Sequence, residues 1–148
     1  MRKFDRRRLD EQGQTLVEFA MALPLLLTIL TGSFAFGIAF NNYLQLTYAT
    51  DAAAQLLSIS RGQTTDPCNT TTQAVYSAAP NLKPASLGFT IVMDGHSFTS
   101  TSCSGDQQYL VQSQSAQVKA TYPCNIQIFG LTVAPSCALT AQTTVFIQ

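Results

Sequence analysis

Phe19 to Phe40 reads FAMALPLLLTILTGSFAFGIAF, 22 residues without a charged side chain and with three hydroxyls, Thr28, Thr31 and Ser33. As a helix this run covers about 33 Å, enough for a hydrocarbon core about 30 Å thick. The run exceeds the 7–15 or so apolar residues of a secretory signal, and no good small-x-small site followed by a turn closes it. A membrane anchor that stays in place is the expectation. Arg2, Lys3, Arg6, Arg7 and Arg8 precede the run, against Asp5, Asp10 and Glu11, and no charge follows it until Asp51. Basic flanks stay cytoplasmic, so the N-terminus is expected inside and residues beyond about 42 outside, a single-pass arrangement with membrane lipid as one partner.

The rest of the composition agrees with a chain partly out of water. Only 11% of the 148 residues are charged, where a soluble domain carries about 25%, and the formal net charge is zero. No basic face exists to displace phosphate counterions, so nucleic acid is excluded as a partner. One histidine rules out two-His and three-His zinc sites. Nothing marks a nucleophile: there is no G-x-S-x-G, no activated cysteine context and no phosphate-cradling glycine loop, and His96 stands in a turn-like Asp94-Gly95-His96-Ser97. The chain is therefore read as a non-enzyme with no catalytic residue, cofactor, metal or small-molecule substrate.

Just ahead of the apolar run stands Gly13-Gln14-Thr15-Leu16-Val17-Glu18-Phe19, with a lone carboxylate at the mouth of the helix. Together with Pro24 early in the run and Phe36-Gly37 later, this stretch resembles the processing site of type IV pilins and pseudopilins. It is more closely similar to the TadE-like pilus-assembly proteins of the tight-adherence (Tad/Flp) system, over residues 13 to about 61. The resemblance implies cleavage between Gly13 and Gln14 by a prepilin peptidase, which removes a leader of residues 1–13. Glycine suits an extended protease substrate because the backbone can be approached closely. Cutting creates an α-amine on Gln14, with an unperturbed pKa of about 7.7–8.0. In the family the glutamate meets the new amine of a neighbouring subunit, and that role carries to Glu18. Gln14 stands where major pilins have the Phe that is N-methylated, so methylation does not carry over. Phe19 and Pro24 are grouped with Glu18 as assembly residues, Pro24 either bending the helix or tolerated near its start. The partners implied are the peptidase, other pilins or pseudopilins and the Tad inner-membrane assembly platform. The alternative is an uncut single-pass anchor displaying residues 62–148 as a binding module or adhesin.

Beyond the membrane, Asn41 to Arg61 repeats Leu46, Ala49, Ala53, Leu56, Leu57 and Ser60 at three- and four-residue steps, the pattern of an amphipathic helix. No Pro or Gly separates it from the apolar run, which predicts one helix of about 45 residues within 14–61, with its membrane part at 19–40 and a stalk at 41–61. Gly62 and Pro67 are read as its terminators. Gly32 and Gly37 are too far apart for a G-x3-G seam and read as packing spots.

Residues 62–148 are expected to form an α+β domain. It comprises a short helix at 73–79, a strand at 87–93, an Asp94-Gly95 hairpin turn, a return strand at 96–100, a strand at 109–122 and a last strand at 137–147. The expected architecture is pilin-like: a long N-terminal helix, transmembrane then amphipathic, packed on a small antiparallel sheet. Cys68, Cys103, Cys124 and Cys137 all lie on the outer side; of the three pairings, Cys68–Cys103 with Cys124–Cys137 is favoured. The apolar stretch 125–133 either packs on the sheet or is a docking patch for another subunit.

Overall fold

The computed structural model describes the backbone of residues 6–124 and 126–148 and the side chains of those from Gln14 onward. Arg2 and Lys3 of the expected leader, and Asn125 at the start of the 125–133 stretch, lie outside the described residues, and Arg6, Arg7 and Arg8 are described by their backbone alone. One helix, α1 (Arg6–Ile59), runs for 54 residues, about 81 Å at 1.5 Å per residue. It is longer at its N-terminal end than the sequence suggests and stops slightly sooner. The Ser60 N–H and hydroxyl both turn back to the Leu57 carbonyl, and Gly62 takes a φ of 73°, the left-handed conformation that closes helices. Pro24 lies inside α1 without interrupting it.

The last four turns of α1 are the spine of the outer domain. Leu46, Ala49, Thr50, Ala53, Ala54 and Leu57 are fully buried, each Leu contributing about 1.5–3 kcal/mol by leaving water. The small alanines let the sheet come close. Thr50 is buried because its hydroxyl donates to the Leu46 carbonyl 2.7 Å away, leaving only its methyl to pack. Leu56, expected on this stripe, is instead 38% exposed, since Ala53 and Leu57 centre the buried face one position away.

A second helix, α2 (Pro67–Ala78), starts six residues before the predicted 73–79 segment. Pro67 does not end the first helix but opens the second. Its missing N–H costs nothing at the first helical position, and Asp66 caps the turn by accepting from the Asn69 N–H at 3.0 Å. Pro67, Cys68, Thr71, Thr72 and Val75 face inward.

Four strands form one antiparallel sheet in the order β2-β1-β3-β6: β1 (Gly88–Met93), β2 (His96–Phe98), β3 (Ser115–Pro123) and β6 (Ala138–Phe146). Asp94 and Gly95 both have positive φ, 48° and 76°, the two-residue turn that Asp-Gly favours between β1 and β2. The inward face alternates Phe89, Ile91 and Met93 on β1 with Ala116, Val118 and Ala120 on β3, and packs on α1 and α2. Tyr109 to Gln114, predicted as strand, is instead the last residue of a 3₁₀ turn (Asp106–Tyr109) followed by a loop. The Tyr109 ring lies between His96 and Phe98, 4.3 and 5.8 Å away, and Ser113 has a φ of 63° that no strand permits. The fold is thus the α+β arrangement expected, a long helix laid on an antiparallel sheet.

Between β3 and β6 the chain makes a two-stranded ribbon, β4 (Gln127–Ile128) and β5 (Leu131–Thr132), turned by Phe129 and Gly130 at φ 50° and 79°. Its main packing is against α1 rather than the sheet. It lies along α1, where Ile128 Cδ1 stands 4.0 Å from the point a Cβ on Gly32 would occupy.

The cysteines pair as Cys68–Cys103 and Cys124–Cys137, each with Cα atoms 5.4 Å apart. The first ties α2 to the 99–105 loop inside the core; the second closes the base of the ribbon.

Candidate functional site

The residues singled out at the membrane entry occupy one stretch of α1. The backbone is helical through both Gly13 and Gln14. Four residues apart on a helix means one face, and the Gln14 side-chain amide donates to Glu18 Oε1 at 3.3 Å. Among the described residues, this amide is a hydrogen-bond partner of the carboxylate. Phe19 is 60% exposed. Pro24 supplies no N–H to the Ala20 carbonyl, but its own carbonyl accepts from the Thr28 hydroxyl at 2.8 Å.

The other hydroxyls of the apolar run are handled the same way. Thr31 donates to the Leu27 carbonyl at 2.8 Å and Ser33 to the Ile29 carbonyl at 2.9 Å. Each of the three polar side chains inside the run therefore brings its own acceptor from the preceding turn, which removes the cost of placing it in hydrocarbon. Residues 14–30 are exposed throughout, on every face of the helix. Gln14–Ile59 is long and apolar enough to cross a membrane, with a mean hydropathy of 2.0 over its most apolar window.

Farther along, one stripe of the run, Gly32, Ala35 and Ala39, is half-covered while Phe34, Phe36, Ile38 and Phe40 stay exposed. The cover is the β4–β5 ribbon and its base: Cys124, Ile126 and Cys137 sit beside Phe36, Phe40 and Tyr43, and Gln127 beside Ala35 and Asn42. Sequence reasoning places this segment on the sheet or free of it; no local pattern signals that the ribbon rests on the helix.

The cysteines named from sequence stand far from this entry, in the domain. There Asp66 does more than cap α2. Its Oδ1 also accepts from the Cys103 N–H at 2.9 Å, and its Oδ2 accepts from the Ser102 hydroxyl. Burial works to raise the Asp66 pKa, but the hydrogen bonds from Cys103, Ser102, Asn69 and Cys68 outweigh it and hold the carboxyl below its ordinary value. Asp66, Cys68 and Cys103 also bring three ligand-type atoms within 4.8 Å, but both sulfurs are spent in the disulfide and offer no thiolate. The Asp66 carboxylate thus stabilises the fold above the unfolded pKa of about 3.9 and loses that contribution as pH falls through its lowered folded value. Asp66→Ala is expected to cost about 1–2 kcal/mol at neutral pH, the range of a lost N-cap. Urea titrations of the detergent-solubilised chain should show the gap between variant and parent closing as pH drops below about 4.

On the opposite side of α1, Asp51 accepts a hydrogen bond from the Thr143 hydroxyl and so fixes the helix to β6. The chain's last described residues close the same seam, the Gln148 N–H donating to the Ser58 carbonyl at 2.9 Å.

No curated protein and no solved structure matches the chain. Residues 13–55, which hold Gln14, Glu18, the apolar run and the first buried turns of α1, match the family described as TadE-like protein, so the long helix is similar to that family over this stretch.

Proposed function

We propose that this chain is a minor, pseudopilin-like structural subunit that acts in assembly of a Tad-type pilus. The observation that carries the reading is an overlap: inside the TadE-like match at residues 13–55, the helix from Gln14 to Leu30 is exposed on every face among the described residues. A bare apolar helix about 25 Å long needs lipid before assembly and neighbouring helices after it. The arginine-rich segment ahead of Gly13 holds the N-terminus on the cytoplasmic side, and the α+β domain stands on the other.

A prepilin peptidase cuts between Gly13 and Gln14, removing residues 1–13 with all their positive charges. Because the backbone is helical there, the substrate must unwind by a turn to become extended, and glycine weakens that turn by about 1 kcal/mol relative to alanine. The new Gln14 ammonium then exchanges the side-chain amide at Glu18 for a charged partner, on a neighbouring subunit. Phe19 and the exposed face around Pro24 supply packing between subunits. The role is structural and uses no cofactor.

Intact-mass measurement of the chain with and without the peptidase tests this. The expected result is loss of the first 13 residues only when the peptidase is present. An unchanged mass sinks the subunit reading and leaves an uncut anchor carrying a display domain.

A further inference from the structure

We infer that the β4–β5 ribbon is a second membrane contact, a disulfide-closed wedge that enters the lipid leaflet on the domain's side next to α1. This rests on the anchored reading of α1.

The ribbon runs down the helix toward its lipid end. Its base, Cys124 and Cys137, lies beside Tyr43 and Phe40, and Ile128 at its far end lies beside Gly32. Phe40 is the last residue of the apolar run, so Ile128 stands eight residues inside it, about 12 Å at 1.5 Å per residue. Half of a hydrocarbon core is about 15 Å. Any placement that buries Phe34, Phe36 and Ile38 in lipid therefore carries the ribbon's tip in with them.

The chemistry of the tip suits that position. Phe129, Leu131 and Val133 are 64%, 73% and 59% exposed. With the bare phenylalanines of α1 at the same level they make one apolar surface that water would penalise and acyl chains would cover. No Asp, Glu, Lys, Arg or His occurs between residues 120 and 148, nor between 19 and 50, the two stretches that meet here. The ribbon also meets part of its own backbone demand. β4 pairs with β5, the Val133 N–H donates to the Ile126 carbonyl at 2.9 Å, and the Cys124 N–H donates to the Cys137 carbonyl at 3.1 Å. Gly32, Ala35 and Ala39 give it a shallow seat on the helix. A patch evolved for water or for the sheet needs none of these features.

The chain has no tryptophan, so each Trp introduced is a lone reporter. The full chain is placed in phosphatidylcholine vesicles with brominated acyl chains, as Phe129→Trp, Phe34→Trp or Phe146→Trp, the last on the exposed outer face of the sheet. Phe129→Trp should be quenched at least twofold, as Phe34→Trp is, while Phe146→Trp is not. Leu131→Trp repeats the ribbon measurement should Trp at the turn disturb it. Quenching of Phe34→Trp without quenching at either ribbon position overturns the wedge and leaves the anchor intact. Blue-shifted ribbon emission without quenching also overturns it, assigning the patch to a second copy of the chain. No quenching at Phe34→Trp removes the anchored reading and the wedge with it.

Discussion

A Glu18→Ala chain is expected to lose its leader normally and yet fail to enter a filament. The proposed cleavage site lies five residues upstream, and among the described residues Glu18 accepts from the Gln14 side-chain amide on the same face. What Glu18 does cost is solvation. A carboxylate carried to the centre of a bilayer costs about 2.5–3.5 kcal/mol on insertion scales, and less at the rim. Glu18 is the only acid from residue 12 to residue 50, so its presence at the lipid edge demands compensation. Under the proposed subunit pairing, the Gln14 ammonium of a neighbour offers it. A charge-assisted hydrogen bond contributes about 1.5–3 kcal/mol, and 1.4 kcal/mol is tenfold in an equilibrium. Each junction between subunits should therefore weaken about tenfold or more, enough to empty the filament of the variant. Shearing and pelleting of pili, followed by immunodetection of the processed chain, reads this directly. Normal incorporation of Glu18→Ala would sink the pairing, and Glu18→Gln, which keeps the shape without the charge, should fail as well.

The second large effect concerns Cys68–Cys103. Both cysteines are buried, and their bridge closes a loop of 35 residues that joins the start of α2 to the 99–105 segment. In the chain-entropy model such a loop contributes about 4 kcal/mol, a large share of the 5–15 kcal/mol or so that holds a typical domain together. The bridge also positions the Cys103 N–H for Asp66, so its loss loosens the cap of α2. Cys68→Ser with Cys103→Ser should lower the urea midpoint of the solubilised chain steeply and expose the domain to protease. The Cys124→Ser, Cys137→Ser pair should shift that midpoint less. Its 13-residue loop lies outside the sheet, and opening it frees the ribbon from α1 without opening the core. Equal shifts for the two pairs would contradict this division.

The features legible in the sequence are those where periodicity has a single cause. The apolar run, the stripe through Leu46, Ala49, Ala53 and Leu57, and the Asp-Gly turn after Met93 each answer to one local rule, and each stands in the structure. Pro67 is ambiguous because proline both ends and begins helices; the deciding neighbour is Asp66, whose carboxylate caps α2. Tyr109 to Gln114 alternates like a strand, yet Tyr109 is drawn to the His96 and Phe98 rings, a contact that no short-range pattern records. The seat of the ribbon on α1 is illegible for the same reason, since Gly32 and Ile128 are 96 positions apart in the chain. The Gln14–Glu18 face, in contrast, depends only on helical spacing and can be read from five letters.

The unbroken course of α1 has a mechanical corollary. With Pro24 absorbed and Asp51, Ser58 and the buried alanines locking the far end to the sheet, the molecule has no swivel between its outer domain and its lipid end. A pull on the domain is delivered along the helix axis, and a twist of the domain turns Glu18 through the same angle. The folded part is in this sense a handle fixed to a shaft, and the azimuth at which it projects is set wherever the shaft is seated.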